Sequence, residues 1–297
     1  MREGKKVIDF RLRPPLKPYG GLFNVRLNLL GKRPNTLANP ATHGEIPPII
    51  NMVDKPGAME RWWKDIDEAG VDVAVANGRY AAGIANLSMD GLTLGDLQKN
   101  YPGRFIGLAP TNLDQPVENT VSEIEDACKN RDLRGANIEP GYRTKNGGPT
   151  TIDCVDFYPI FETMIALDLP LMVQTGAYAG LANFGAANEI FRFDMVMGKF
   201  PKLKIVLAHG GYPSIQETLA LALKHPNVFV CPDCYTFWPG GQLYQQNFDM
   251  MPDQFLYGSA FPFGNIDTSL EQTLKLPIST TTMSKYLYDN AAALLKL

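Results

Sequence analysis

The chain has 297 residues, of which 45% are hydrophobic and 20% are charged, and its formal net charge is -3. This composition is typical of globular proteins and excludes collagen-like, disordered and coiled-coil chains. The slight acidic excess provides no basic footprint for a nucleic acid, and no apolar run is long enough to span a bilayer. We therefore expect a soluble protein with no nucleic-acid partner and no membrane partner.

Cysteine and histidine are scarce in this chain. Four cysteines without a paired framework, behind a start that does not resemble a signal peptide, favour a reducing, cytoplasmic compartment. Cys231 and Cys234 form a C-x-x-C, but no second pair for zinc and no immediately following helix accompanies it, so we assign it no redox or metal role. Three histidines, His43, His209 and His225, cannot assemble a histidine-rich metal centre.

Apolar, β-branched runs alternate with amphipathic helical patterns along the chain. Eight runs predict strands, at residues 7–12, 72–77, 104–110, 133–139, 170–176, 204–211, 228–235 and 255–262. Helical patterns occupy residues 56–69, 93–100, 115–129, 157–167, 189–200, 212–224 and 283–297. Eight strands, most of them followed by a helix, predict an α/β fold of the (β/α)8 TIM-barrel type. A doubly wound open sheet is the alternative, and the absence of a Gly-rich nucleotide motif weakens it.

The stretch at about residues 14–52 is rich in Pro, Gly and Asn and is too long for a plain connection. Because it directly follows the first predicted strand, it is either a lid over the barrel mouth or an irregular surface loop. No repeat or linker divides the chain, so we expect one domain over residues 1–297 with this insertion.

Five segments of the chain carry motifs in a characteristic order. They are residues 7–15 (VIDFRLRPP), 169–176 (LPLMVQTG), 205–211 (IVLAHGG), 257–262 (YGSAFP) and 288–295 (YDNAAALL). Together they resemble the amidohydrolase superfamily, in the branch of amino-carboxymuconate-semialdehyde decarboxylase, γ-resorcylate decarboxylase and pyrone-dicarboxylate lactonase. The family writes the first four as I-D-x-H-x-H-x-x-P, L-P-x-x-x-H-x-G, x-x-x-x-H-x-G-G and x-G-S-D-x-P, and the fifth resembles its closing helix. The resemblance covers nearly the whole chain and implies a site at the carboxyl ends of the barrel strands.

The metal ligands that this resemblance implies are mostly replaced. Arg11 and Arg13 stand where the family has two histidines, Gln174 replaces a third, Ala260 replaces an aspartate, and only His209 remains. Guanidinium groups carry positive charge and cannot donate a lone pair, so they would oppose a divalent cation. We therefore expect neither a metal nor another cofactor.

Asp9, Arg11 and Arg13 alternate along the first predicted strand, which predicts that their side chains share one face. One interpretation is a buried Asp9–Arg11 pair that fills the space of the missing metal site. The other is that arginine now supplies the metal's charge, which predicts a small anionic ligand held by Arg11 and Arg13.

His209 ends an apolar strand, where the resemblance implies a residue that activates water or moves a proton. Gln174 is either a substrate hydrogen-bond partner or a polar plug. Glu139 and Asp233 close the fourth and seventh predicted strands and are the candidate second carboxylates, although strand-end acids also cap helices or pair with arginine. Ser259 belongs to a Gly-Ser turn and is interpreted as a turn residue rather than a nucleophile.

Aromatic residues follow the last four predicted strands and suit a flat, ring-shaped substrate, or alternatively an oligomer interface. The candidate substrate-binding rings are Tyr178, Tyr235, Trp238 and Phe261, with Tyr212, Phe237 and Phe263 near them.

The leading functional hypothesis is a metal-independent hydrolase that adds water to a lactone or ester of a small carboxylated cyclic or aromatic compound. Its catalytic residues would be His209, Asp233 and Glu139, with Arg11, Arg13, Gln174 and the aromatic rings binding the substrate. A non-oxidative decarboxylase or C–C lyase of the same family is the closest alternative. A catalytically inactive binding subunit is a third hypothesis, and a homodimer is expected only from the family resemblance.

Overall fold

Parallel β-strands form the centre of the protein. The computed structural model describes residues 2–27, 47–81, 84–142, 150–176 and 189–297. Seven strands pair in chain order, each parallel to the next. They are β1 (Ile8–Asp9), β2 (Val73–Asn77), β3 (Phe105–Pro110), β4 (Ala136–Ile138), β5 (Leu171–Gln174), β6 (Ile205–Ala208) and β7 (Val228–Cys231). Each lies within a run that the sequence predicts. Because neighbouring strands are parallel, the carboxyl ends of all seven lie at one edge of the sheet.

The eighth predicted run closes the ring. The backbone N–H of Leu256 donates to the carbonyl of Val230 in β7 at 2.9 Å, and Phe10 donates to the carbonyl of Tyr257 at 2.9 Å. The run therefore lies between β7 and β1 as in a (β/α)8 barrel, which confirms the predicted fold class. Its pairing with β7 is a single parallel bridge between Val230 and Phe255, and on the other side Gly258 passes so close to Arg11 that a Cβ there would lie 2.8 Å from the Arg11 Cγ.

The main helices coincide with the predicted helical patterns. They are α2 (Ala58–Ala69), α3 (Gly91–Asn100), α4 (Val117–Asn130), α5 (Tyr158–Leu167), α6 (Ile190–Lys199) and α7 (Ile215–Lys224), preceded by a short α1 (Gly20–Val25). The chain continues with α8 (Gln242–Gln245), α9 (Ile266–Leu274), α10 (Thr280–Ser284) and α11 (Asn290–Leu295). Sequence analysis did not predict α1, α8 or α9, because short helices after a turn carry little periodicity. Within the described residues, no helix has the length and apolarity needed to cross a bilayer.

The core has two layers. Alternate strand residues, among them Phe10, Val75, Leu108, Met172 and Val206, pack against one another inside the ring. The intervening residues face the helices, where Trp62 and Ile66 of α2 lie completely buried at helical spacing. Because Met172 faces inward, the alternation of β5 also directs Gln174 to the interior.

The described flanks of the predicted insertion pack on the barrel. The hydroxyl of Tyr19 donates to the carbonyl of Asn77 at the end of β2 at 2.5 Å. The ring of Phe23 meets that of Phe261 edge-on, with centroids 5.6 Å apart. Both flanking aromatic rings are buried, so residues 14–27 cover the carboxyl end of the barrel. Residues 28–46, with His43, lie outside the described residues, and a lid function remains a prediction.

Candidate active site

Buried polar side chains from most of the strands meet at the carboxyl edge of the barrel. They are Arg11 after β1, Asn77 in β2, Asn137 in β4, Glu139 after β4, Gln174 in β5, His209 after β6 and Asp233 after β7. Buried polar groups are costly unless each has a partner, so this cluster needs a structural or functional reason.

The guanidinium of Arg11 lies at the centre of this cluster. Its Nη2 donates to Oε1 of Gln174 at 3.0 Å and contacts Nε2 of His209 at 2.9 Å. Its Nη1 donates to Oδ1 of Asn77 at 3.4 Å, and its Nε lies 3.4 Å from Oδ2 of Asp233. The side chain is completely buried, so one cation organises residues from four other strand ends.

A turn at residues 10–11 brings Arg11 into the ring. Strand β1 ends at Asp9, whose Oδ1 accepts the backbone N–H of Arg11 at 3.0 Å, as aspartate does in short turns. The strict alternation that predicted a common face for Asp9, Arg11 and Arg13 therefore ends at Asp9. The proposed Asp9–Arg11 charge pair is also not the arrangement found, since the carboxylate beside the Arg11 guanidinium belongs to Asp233.

His209 and Asp233 form a buried pair beside Arg11. Nδ1 of His209 lies 2.8 Å from Oδ2 of Asp233. Because the guanidinium can only donate, Nε2 of His209 must accept, which places the proton of the neutral ring on Nδ1. Burial and the charge of Arg11 lower the pKa of His209 despite the opposing charge of Asp233. Burial alone would raise the pKa of Asp233, but His209 and Arg11 outweigh it and hold that pKa below its usual value.

The backbone is strained where the last strands end. His209, Asp233 and Ala260 have φ angles of 64°, 44° and 60°. Non-glycine residues avoid this left-handed region, and such strain, which costs on the order of 1–3 kcal/mol per residue, clusters at functional sites. The turns after β6 and β7 and the turn in the eighth run therefore each contain one residue with a strained backbone.

Asp9 is a third buried acid beside this cluster, although from the sequence it was considered only as a partner for Arg11. Its Oδ1 accepts the backbone N–H of Ser259 at 3.0 Å as well as that of Arg11. Burial raises its pKa from 3.8 to about 6, against the lowering effect of these hydrogen bonds. Ser259 ties this turn together, since its hydroxyl also accepts the N–H of Phe261 at 3.2 Å.

Arg13 lies above Arg11 with a different set of partners. Its Nη1 donates to the carbonyl oxygens of Ala260 and Phe261 at 3.2 and 3.0 Å. Burial, together with the charges of Arg11 and Arg79, lowers its pKa to about 9. Among the described residues, the hydrogen bonds of Arg13 reach only these two carbonyl groups, and its guanidinium lies over the ring of Phe263 at 5.8 Å.

Glu139 is held away from His209 by other partners. Nη2 of Arg79 donates to its Oε2 at 2.9 Å, and Nδ2 of Asn137 donates to its Oε1 at 3.1 Å. Nε2 of Gln174 in turn donates to Oδ1 of Asn137 at 2.8 Å. Of the two candidate carboxylates, Asp233 lies beside His209, whereas Glu139 forms an ion pair with Arg79.

The predicted aromatic residues divide into two places. Tyr235 stacks on Tyr212 with centroids 4.6 Å apart, meets Trp238 at 4.8 Å, and meets His209 edge-on at 5.5 Å. These rings form a wall next to His209. Phe261 is instead almost completely buried under the segment that precedes α2, and Tyr178 lies outside the described residues.

Three residues of the site were not predicted from the sequence: Asn77, Asn137 and Arg79. The signal was present, because Asn77 and Asn137 are polar residues inside apolar strands and each has a charged residue two positions later. Spacing of two along a strand places both side chains on one face. An amide in a buried strand was therefore as informative as a histidine at a strand end.

The described side chains do not fit a divalent metal ion. No group of three or more His, Cys, Asp or Glu side chains within the described residues could hold one. The guanidinium of Arg11 contacts both Gln174 and His209, two of the positions at which the family resemblance implies metal ligands. A fixed cation that donates hydrogen bonds would repel a second cation at this point.

Comparison with known proteins agrees with this fold. A solved TIM-barrel protein of uncharacterised function from Bordetella bronchiseptica is similar over 98% of both chains, with 26% identity and a TM-score of 0.83. The 5-carboxyvanillate decarboxylase of Novosphingobium aromaticivorans, solved with manganese, covers 100% of this chain and 97% of its own, at 18% identity and a TM-score of 0.66.

Sequence similarity to a characterised protein is more limited. A 2-keto-4-carboxy-3-hexenedioate hydratase of Sphingobium is 26% identical over 127 residues, which are 37% of this chain and 36% of the hydratase. The chain thus matches only about a third of that relative's length. The amidohydrolase family model, by contrast, matches residues 50–297, which is most of the sequence. The chain belongs to the amidohydrolase family.

Proposed function

We propose that this protein is a metal-independent hydrolase that adds water to the ester or lactone carbonyl of a small carboxylated cyclic or aromatic compound. The observation that carries this proposal is the buried contact of Arg11 with both His209 and Asp233. A guanidinium there supplies the positive charge that stabilises a developing oxyanion.

His209 is the general base in this proposal. Asp233 orients the ring through Nδ1, which leaves the lone pair of Nε2 as the proton acceptor. The 2.9 Å contact between Nη2 of Arg11 and Nε2 would first open to admit a water molecule, which would give its proton to Nε2 as its oxygen attacks the carbonyl carbon. The oxyanion would form against Arg11, the C–O bond to the leaving oxygen would then break, and His209 would return the proton to that oxygen.

Arg13 and the aromatic wall would bind the substrate. Arg13 offers a positive charge near the barrel mouth, and the rings of Tyr235 and Trp238 offer flat apolar surface. Both named relatives act on carboxylated compounds according to their names, which supports an anionic substrate.

A lyase reaction is the second candidate, because the Sphingobium relative is a hydratase. The same His209 and Arg11 would deliver water to a C=C bond conjugated with a carbonyl group. Loss of a carboxylate is less favoured, since an arginine that binds the ground-state carboxylate strongly opposes its departure.

The test combines elemental metal analysis with turnover of a panel of lactone, ester and unsaturated carboxylic acids before and after chelation. We expect less than a stoichiometric amount of metal, turnover that survives chelation, and loss of turnover in His209→Gln. One equivalent of metal with activity lost to the chelator would refute the proposal. Absence of turnover, together with a thermal shift by at least one panel member, would favour the inactive binding subunit instead.

A further inference from the structure

The turn that carries His209 has an unusual backbone. Three consecutive residues, His209, Gly210 and Gly211, have φ angles of 64°, 60° and 72°. Glycine adopts these angles without strain, but a histidine does not. Some contact outside the turn must therefore hold His209 in this conformation.

One side chain spans the turn. The hydroxyl of Thr175, directly after β5, donates to the carbonyl of Ala208 at 2.6 Å and accepts the N–H of Gly211 at 2.9 Å. These two groups lie immediately before and near the end of the strained segment. Because Thr175 is completely buried, water does not compete for either bond.

A second hydroxyl reaches the middle of the same turn. The hydroxyl of Tyr244, in α8, donates to the carbonyl of Gly210 at 2.9 Å, and its side chain is completely buried. Gly176 closes the remaining side, since a Cβ there would lie only 2.5 Å from Cβ of His209. The turn is thus held at its start, middle and end.

We propose that Thr175 and Tyr244 are positioning residues that fix the imidazole of His209 between Asp233 and Arg11. The ring meets these partners through opposite nitrogens, at 2.8 and 2.9 Å, so a rotation of the turn would lengthen at least one contact. Release of the turn would let the ring leave Arg11 and take up a proton more readily. The consequence for catalysis rests on the proposed function, but the orientation of the ring does not.

The test is nitrogen NMR of the histidine side chains in the full chain. Only three histidines are present, so a His209→Gln variant identifies the resonances of His209. In the unmodified protein, we expect a ring protonated on Nδ1 and not on Nε2 at neutral pH. Thr175→Val, which keeps the shape and removes both hydrogen bonds, should mix the two tautomers and raise the pKa of His209 by about one unit or more.

Three further variants separate positioning from general stability. Thr175→Ser keeps the hydroxyl and should restore the tautomer and the titration, and Tyr244→Phe should shift both in the same direction as Thr175→Val. Thr273→Val, which removes a buried 2.9 Å hydrogen bond to Ser269 in α9, should lower the melting temperature without changing the resonances of His209. The proposal is overturned if folded Thr175→Val and Tyr244→Phe proteins keep the unmodified tautomer and titration, whatever their melting temperatures. If Thr175→Val does not fold, Tyr244→Phe alone decides in the same way, and neither result depends on turnover.

Discussion

Substitution of Asp233 by asparagine should destabilise the protein far more than the loss of a surface charge. The Asp233 carboxylate lies 2.8 Å from His209 and 3.4 Å from Arg11, and all three side chains are buried. Asparagine keeps the shape and removes the charge, which leaves Arg11 without its carboxylate. Breaking a buried pair in this way costs on the order of 3–5 kcal/mol.

The size of the expected thermal shift follows from the chain length. With about 2.1 cal/mol/K of unfolding entropy per residue, a chain of 297 residues has a total near 0.6 kcal/mol/K. A loss of about 4 kcal/mol therefore lowers the melting temperature by roughly 6–7 °C. Asp253→Asn is the matched control, because Asp253 is mostly exposed and pairs with Lys285 at the surface, so the expected change is within about 0.5 kcal/mol.

A double-mutant cycle with Arg11→Met tests whether the cost belongs to the pair. Denaturant unfolding of Arg11→Met, Asp233→Asn and the double variant should give a coupling energy of about 2 kcal/mol, since the second substitution removes a charge that the first has already left unpaired. Additive free energies of unfolding, to within about 0.5 kcal/mol, would refute a coupled Arg11–Asp233 pair. So would an Asp233→Asn protein as stable as Asp253→Asn.

Three other substitutions have expected outcomes. Asp9 has a pKa of about 6 in the folded protein against an ordinary value of 3.8. The unmodified protein should therefore lose roughly 3 kcal/mol of stability relative to Asp9→Asn as the pH rises from about 3 to 7, and urea titrations at several pH values measure that difference. Gly176→Ala places a Cβ 2.5 Å from Cβ of His209 and should lower kcat/KM about 100-fold. Gly198→Ala is the control, because a Cβ at Gly198 has no heavy atom within 4 Å and kcat/KM should not change. Equal kcat/KM values for the two variants would exclude a tight contact between residue 176 and His209. Glu139→Gln should lower the melting temperature, because it breaks the buried pair with Arg79, but it should reduce kcat less than tenfold. A loss of kcat as large as that of His209→Gln would show that Glu139 is the base instead.

Much of the fold could be predicted from hydrophobic periodicity. A parallel strand buried on both faces reads as a continuous apolar run, and all seven strands lie within the predicted runs. The strands are shorter than predicted because the runs continue into the turns that carry site residues. The predicted strand at residues 204–211 contains β6 and then the strained turn at His209, which periodicity cannot distinguish from strand.

The site was harder to predict than the fold because distances between strand ends depend on turns. Glu139 and Asp233 both follow buried strands, and the sequence offers no reason to prefer either. In the structure, Arg79, two residues beyond Asn77, donates a hydrogen bond to Glu139, so Asp233 is the carboxylate that pairs with His209. Arg11 was predicted as a site residue, but its contacts with Gln174 and His209 depend on the turn at residues 10–11, which leaves no pattern in the sequence.

The exchange of metal for arginine would also change which group handles the proton. A metal ion can activate a bound water itself, but a guanidinium stays protonated and offers no lone pair or open coordination position. In a site centred on Arg11, the proton must therefore go to a separate base, and Nε2 of His209 is the acceptor in direct contact with that guanidinium. Burial and Arg11 lower the pKa of His209, so the neutral, proton-accepting ring persists to lower pH than that of an ordinary histidine. In the proposed mechanism, the cation that would stabilise the oxyanion also lowers the pKa of the base, so both functions would rest on Arg11, while Asp233 lies beside both Arg11 and His209 in the buried interior.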